Sequence, residues 1–495
     1  MGLIQKQSQS GTIYSYIGVI LGFITTGILW PRVFSTSEVG LMRILVSYSV
    51  LFSQFASLGV NSVTVKLFPY FKTDDGKHHG FLGLTMSISV VGLILSVLGY
   101  IVLKTWIVDP DKEGSQLFTD YYFYVIPLIF FTLFFNIFDT YFRVLQNAVV
   151  GIVYKEVVQR ILILAVIVAY FFQWIDFHQT VVYYCIALVL PTLLIMISLK
   201  LNGQYALTPD ISFISKDLRK EIAGVGFFGI IASFSGVLVL NIDVIMVERL
   251  IDLQAAGIYT ITFFFGSLIL IPMRSMGKIS SVIIADAWKS DNKALIEDIY
   301  KKSSISLSVI GFLLLIGLWS NIDNIFMLIS DKYLPGKYVI LLLGIANMTD
   351  IALGISPHII LNSVKYRYLS YFLVIFGILL IITNLIFIPI YGLVGAAVAS
   401  LISKAIYNLI KFVFLYKTWK LQPFDLKYLY LIGITTGVYF ASLLLPVCSH
   451  FMVDIVVRSS FILVIFTLLI YYLNISTDIN QRLESLTRLI FRRIR

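Results

Sequence analysis

The sequence predicts an all-α integral membrane protein of about 14 transmembrane helices, and three observations carry that prediction. Hydrophobic residues fill 59% of the 495 positions and charged residues only 13%, with a mean hydropathy of +0.92, far outside the range of soluble globular domains. Apolar windows of about 20 residues, enough to cross a bilayer core of roughly 30 Å, occupy nearly everything from Gly11 to Asn474. Lys and Arg gather in alternate connections, as the positive-inside rule requires. No room remains for a soluble domain.

Charges, prolines and glycines divide the chain into helices centred near residues 23, 54, 92, 130, 163, 189, 235, 270, 312, 350, 378, 404, 437 and 466. The first apolar run, Ile13 to Trp30, is longer than a signal-peptide core and lacks a small-x-small cleavage site, so it reads as a retained helix entering from the cytoplasmic side. From that start most of the 37 Lys and Arg residues fall in cytoplasmic connections, among them Lys66, Lys72, Lys216, Arg219, Lys289, Lys411 and Lys417, while outer connections hold few, such as Arg32, Arg249 and Arg458. The net charge of +10 is therefore topological, and no nucleic-acid partner is expected. After the last span, Ile479, Leu483, Leu486 and Ile490 alternate with Arg482, Arg488, Arg492, Arg493 and Arg495 at helical spacing. This predicts an amphipathic helix on anionic membrane lipids, with both termini in the cytoplasm.

The second half echoes the first. A shift of 217 positions sets Arg32 on Arg249, Gly40 on Gly257 and Lys72-Thr73-Asp74 on Lys289-Ser290-Asp291. An even number of spans between the copies makes them parallel repeats rather than inverted ones. The expected organisation is a six-helix lobe over 1–205, a second over 206–422, an appended helix pair over 423–474 and the basic tail over 475–495. The longest connection, Leu201 to Lys220, carries Asn202, Gly203 and Pro209 and reads as the strap between the lobes.

Several chemistries are excluded by what is missing. Cys185 and Cys448 both lie in apolar segments, with no CxxC or Cys/His metal spacing. There is no GxxxxGK[ST], no HExxH and no paired-carboxylate element. Asp109-Pro110-Asp111 is a literal DxD in a short outer loop, too brief a match to indicate a sugar-nucleotide site.

Polar residues inside the spans are more informative. In the second predicted helix Arg43, Ser47, Gln54, Ser57 and Asn61 are spaced 4, 7, 3 and 4, which places them on one face. In the eighth, Thr260, Ser267, Arg274, Lys278 and Ser281 form a similar stripe at the positions the 217-residue shift brings into register. A cation at membrane depth costs roughly 2.5 to 3.5 kcal/mol unless it meets water or a partner, so both stripes are expected to face a cavity. The seventh helix presents Gly226, Gly229, Ser233, Gly236 and Asp243 on one side, close packing with Asp243 paired to Arg249 being the alternative to a working acid. Asp139 and Arg143 stand in the favourable i, i+4 order for an ion pair. Asp350 shares the tenth helix with Asn347, Gly354 and the kinking Pro357, and Lys404 in the twelfth is placed to snorkel inward. Asp139, Asp243 and Asp350 are the candidate acids for coupling to H⁺ or Na⁺.

One segment has a family likeness. Asn384 to Ser400, NLIFIPIYGLVGAAVAS, resembles the N-x4-P-x-[YF]-G-x2-GAA-x-A signature of bacterial polysaccharide flippases of the MOP exporter superfamily. Ser37-Glu38-Val39-Gly40-Leu41 and Ala256-Gly257-Ile258-Tyr259 look like the paired glycine elements of the same proteins. The resemblance implies two six-helix lobes in a V, no catalytic residues and an undecaprenyl-diphosphate-linked oligosaccharide as cargo. It also implies a monomer in the bacterial inner membrane, working beside polysaccharide polymerase and glycosyltransferases. Arg43 and Arg274 would hold the diphosphate by charge-assisted bonds. Peptidoglycan flippases carry more arginines in the first two helices than Arg32 and Arg43, and multidrug extruders carry an acid in the first helix, where none lies between Gly11 and Trp30. The competing readings are a membrane polysaccharide polymerase or ligase and a cation-coupled exporter of small solutes or drugs.

Overall fold

The computed structural model describes residues 3–108 and 114–494. Asp109-Pro110-Asp111 therefore lies outside the described residues, as do the side chains of Lys278 and of the tail from Leu486 onward. The described residues contain helices and no strands, and the chain forms two compact units, Met1–Ile261 and Thr262–Arg495.

In the first unit, α1 (Ser10–Val33) carries a π-helical stretch over Phe23–Leu29. The next helix, α2 (Thr36–Ala56), starts where Ser35 and Glu38 close a capping box, the Ser35 Oγ accepting from the Glu38 amide at 3.2 Å and Glu38 Oε2 accepting from the Ser35 amide at 2.7 Å. It stops where Leu58 and Gly59 turn left-handed, at φ of 45° and 75°, and α3 (Val60–Phe71) starts afresh. Gly59 is required there twice over, because a Cβ would also strike the Gly226 backbone. Then follow α4 (Phe81–Val102), α5 (Val125–Val144), α6 (Gln159–Phe171), α7 (Phe177–Leu201) and α8 (Lys216–Leu250), and α9 (Leu253–Ser267) begins in the first unit and ends in the second. A capping box of Asp176 with Gln179 opens α7, and Ser215 caps α8. An aromatic core of Phe68, Phe71, Phe81, Phe138 and Tyr141 ties α3, α4 and α5 together.

The strap of residues 202–215 is fastened to the α3–α4 loop. His78 Nε2 meets Gln204 Oε1 at 2.8 Å, His79 Nδ1 meets Asp210 Oδ2 at 3.3 Å, and the His79 ring stacks on Phe213 at 3.8 Å. Gly80, at φ 65°, lies against the Thr208 carbonyl with no space for a Cβ. Hydrogen bonds from Ser212 and His79 hold the Asp210 carboxyl below its ordinary range.

In the second unit, α10 (Ile271–Lys289), α11 (Lys293–Ser320) and α12 (Lys337–Ala352) lead to α13 (Arg367–Trp419). Its 53 residues are two spans folded at Gly392, where φ is 57° and ψ −135°. Contacts fall symmetrically about that glycine: Thr383 with Ser403 at 2.8 Å, Phe376 with Tyr407 at 4.7 Å and Tyr368 with Phe414 at 4.9 Å. The NLIFIPIYGLVGAAVAS segment thus encodes a helical hairpin. Pro389 withholds a donor, Gly392 takes an angle pair closed to other residues, Gly395 lies on the Phe387 carbonyl, and Ala396, Ala397 and Ala399 are fully buried. Finally α14 (Lys427–Leu443) and α15 (Phe451–Tyr472) pack on α11, and α16 (Thr477–Ile494) ends the unit.

All fourteen expected helix centres fall in helical residues. Ten helices among the described residues are long and apolar enough to cross a membrane. The difference has local causes: α13 counts once but folds back, α12 and α14 have 16 and 17 residues, and the fifth span is interrupted by a π-helical turn over Val153–Val158 before α6.

Candidate functional site

The two units hold separate polar clusters, each on residues that a helix interior would otherwise keep apolar.

In the first unit Arg43, on the third turn of α2, reaches α8. Its Nη2 donates to Asn241 Oδ1 at 3.2 Å and to the Leu240 carbonyl at 3.4 Å. The Asn241 amide nitrogen is held by Val237 O at 2.9 Å, which turns its oxygen toward the guanidinium. Among the described residues no carboxylate lies within ion-pair distance of Arg43, so the cation rests on neutral acceptors. Ser47, one turn on, is fully buried, and its hydroxyl finds no partner among the described residues. Gln54 is buried and donates to Ser57 Oγ at 3.4 Å.

Asn61 does not continue this face. The left-handed Leu58-Gly59 break puts it on α3, so the expected single stripe holds only as far as Ser57. The second stripe is likewise interrupted, by a 3-10 turn at Leu268–Leu270 between α9 and α10. Thr260 and Ser267 return their hydroxyls to Ala256 O and Phe264 O in their own helix. Arg274 is exposed, and Ser281 Oγ accepts from Asn362 at 3.1 Å.

The candidate acids have different surroundings. Asp139 pairs with Arg143 at 3.2 Å, the i, i+4 bridge read from the spacing. Asp243, 6% exposed, accepts from the Tyr259 hydroxyl at 3.0 Å. Gly226 and Gly229 on the same helix approach Leu58 and Ser62, so this face is a packing surface over its first half.

Asp350 is the centre of the second unit's cluster. Its Oδ2 accepts from Lys404 at 3.0 Å, its Oδ1 accepts from Asn408 at 3.0 Å, and Lys411 Nζ lies 3.9 Å from Oδ1. Lys404 also donates to Asn347 Oδ1, whose amide donates to the Gly266 carbonyl at 2.8 Å. The Asn408 amide also reaches Thr349 at 2.8 Å. Two ammonium groups thus share one carboxylate between α12 and the second half of α13. Lys404 and Asp350 join as members of one cluster. Lys411, by contrast, is not in a cytoplasmic connection: its side chain is 2% exposed and lies over the Tyr407 ring at 4.2 Å. The signal available was its spacing of seven from Lys404, two turns along one face.

Arg458 also moves. It is not in an outer connection but within α15, its side chain 8% exposed and paired at 3.3 Å with Asp454, which accepts from Asn324 at 2.6 Å.

The protein is thus a multi-helix membrane protein with a hairpin folded at Gly392 and polar clusters around Arg43 and Asp350. Solved structures carry the same fold. A lipid II flippase MurJ in an inward closed conformation matches at a TM-score of 0.73 and 14% identity, over 94% of this chain and 99% of that one. An inward-facing multidrug resistance MATE family transporter matches at 0.61 and 13%, over 82% and 96%. A MOP superfamily transporter from Pyrococcus furiosus matches at 0.52 and 14%, over 83% and 95%. No curated protein matches by sequence. The family model for polysaccharide biosynthesis proteins matches residues 7–282, more than half of the chain, and the protein belongs to that family.

Proposed function

We propose that this protein is a flippase that moves an undecaprenyl-diphosphate-linked oligosaccharide from the inner to the outer leaflet of the bacterial cytoplasmic membrane by alternating access, supplying surface polysaccharide synthesis. The observation that carries this reading is positive charge in excess on the spanning helices of both units: Arg43 on neutral acceptors, and two lysines on one carboxylate. A membrane helix retains such charge at a cost of a few kcal/mol, and an anionic cargo is what recovers it. Family membership supports a role in polysaccharide assembly, and the arginine fork suits phosphate oxygens. The Lys- and Arg-rich connections are assigned to the cytoplasmic side. Asp139, paired with Arg143, Asp243, buried and accepting from Tyr259, and Asp350, shared by Lys404 and Lys411, are the acids proposed for coupling to H⁺ or Na⁺. A cation-coupled exporter of small solutes is the second reading, favoured by the fold match to a multidrug transporter.

The test is genetic and chemical. Deleting the gene is expected to abolish surface polysaccharide and to accumulate lipid-linked repeat units on the cytoplasmic face. Arg43→Met should lower export about tenfold or more, the loss of one charge-assisted contact, while Arg43→Lys retains part of it. Unchanged surface polysaccharide in the deletion strain would sink the assignment.

A further inference from the structure

We infer that Lys404 and Lys411 form a two-lysine oxyanion site whose resident occupant is Asp350, and that an incoming diphosphate displaces this carboxylate. The inference rests on the proposed function for the identity of the diphosphate, but not for the existence of the site.

Charge is the first argument. Two ammonium groups and one carboxylate leave an excess of one positive charge in an apolar setting, an arrangement that packing alone does not reward. The second is an unmet donor. Lys411 offers three N–H groups, yet among the described residues it donates no hydrogen bond. Its neighbours are Asp350 Oδ1 at 3.9 Å, beyond hydrogen-bond reach, and the Tyr407 ring at 4.2 Å. A side chain only 2% exposed cannot recover those bonds from bulk water.

The third argument is how the carboxylate is held. Asn408 holds Oδ1 at 3.0 Å and Lys404 holds Oδ2 at 3.0 Å, so each oxygen already accepts a hydrogen bond from a group other than Lys411. The carboxylate accepts from two donors and stays 3.9 Å from the third, beyond hydrogen-bond reach of Lys411. A diphosphate has enough oxygens to take both lysines as well as the Asn408 amide. Tyr407, stacked on Phe376 at 4.7 Å, fixes the Lys411 ammonium in position meanwhile. Lys404 and Asp350 keep 19% and 18% exposure, so the site opens on the Lys404 side. Asp350 then acts as a built-in competitor: it keeps the unloaded site one charge above neutral instead of two, and it returns to Lys404 when the anion leaves.

The experiment measures binding of farnesyl diphosphate, with farnesol as the uncharged control, to the purified full-length protein in nanodiscs of neutral lipid. The wild type should bind the diphosphate in a salt-sensitive manner and not respond to farnesol in that way. Lys411→Met should bind about tenfold or more weakly while melting no lower than wild type, because it leaves a balanced Lys404–Asp350 pair. Lys411→Arg should restore binding. Asp350→Asn should bind about tenfold more tightly. Should that variant not fold, Asp350→Asn with Lys411→Met, which keeps the net charge of the site, tests the competitor role against Lys411→Met alone. Wild-type affinity in Lys411→Met, or a lower melting temperature with unchanged binding, overturns the oxyanion site and marks the lysine as structural. If binding behaves as expected but the deletion strain still exports polysaccharide, the site stands and the flippase reading fails. If export is lost on deletion and Lys411→Met restores both export and binding in full, the flippase reading stands and the site fails.

Discussion

Gly40 and Gly257, which the 217-residue repeat relates, lie against each other. A Cβ on Gly40 would run into the Leu253 carbonyl oxygen and come within 3.1 Å of the Gly257 amide nitrogen. One on Gly257 would run into the Thr36 carbonyl oxygen and come within 3.0 Å of the Gly40 nitrogen. Thr36 and Leu253 are themselves 217 apart, so the contact is reciprocal. The glycines are there because α2 and α9 approach backbone to backbone.

Enlarging either residue therefore forces the helix ends apart. Gly40→Ala and Gly257→Ala should each destabilise the protein by about 1 to 3 kcal/mol, read as lower melting temperatures in detergent. Because both relieve the same separation, the double variant should lose less than the sum. Gly99→Ala, in open space on α4, is the control and should not destabilise.

Gly392 carries the hairpin of α13. Its φ of 57° with ψ of −135° is closed to residues with a Cβ, so Gly392→Ala should cost about 1 to 3 kcal/mol although no neighbouring atom stands within 4 Å of the added methyl. A cysteine pair at Phe376 and Tyr407 reports the hairpin directly. It should cross-link in the wild-type background and lose efficiency in the Gly392 variant.

The Asp454–Arg458 pair is buried on both sides, at 4% and 8% exposure. Arg458→Met leaves a carboxylate in the protein interior and should destabilise by about 3 to 5 kcal/mol. Adding Asp454→Asn should recover most of that loss, because the remaining amide is no longer a charge. A thermal melt of the wild type and these two variants checks the argument, and equal melting points would refute it.

The strap gives a pH dependence. Asp210 is held below its ordinary range by Ser212 and His79, and a carboxyl whose folded value is depressed contributes stability above its unfolded value of about 3.9. That contribution is lost as pH falls through the lower folded value. Hydrogen-exchange protection over residues 202–215, taken relative to the intrinsic rate at each pH, should therefore be constant around neutral pH and fall under acid. Asp210→Asn should show the lower protection already at neutral pH.

What the sequence determined by itself is what depends on neighbouring residues. Helix positions follow from hydropathy over about 20 residues, and all the expected centres lie in helices. The Asp139–Arg143 bridge follows from i, i+4 spacing, and the division between the helices centred near 378 and 404 from the prolines and glycines that bound apolar runs. Tertiary structure alone decided which polar side chains meet. Lys411 has no acid within a turn and reads as a solvated lysine near a helix end, yet its carboxylate is supplied by Asp350 on another helix. Arg43 finds Asn241 nearly two hundred positions away. Asn61 left its stripe because the chain turns left-handed at Gly59, where the Gly226 backbone leaves no space for a side chain. Burial in lipid is a property of a segment and can be read along it, whereas charge compensation is a property of a place and exists only once distant helices share that place.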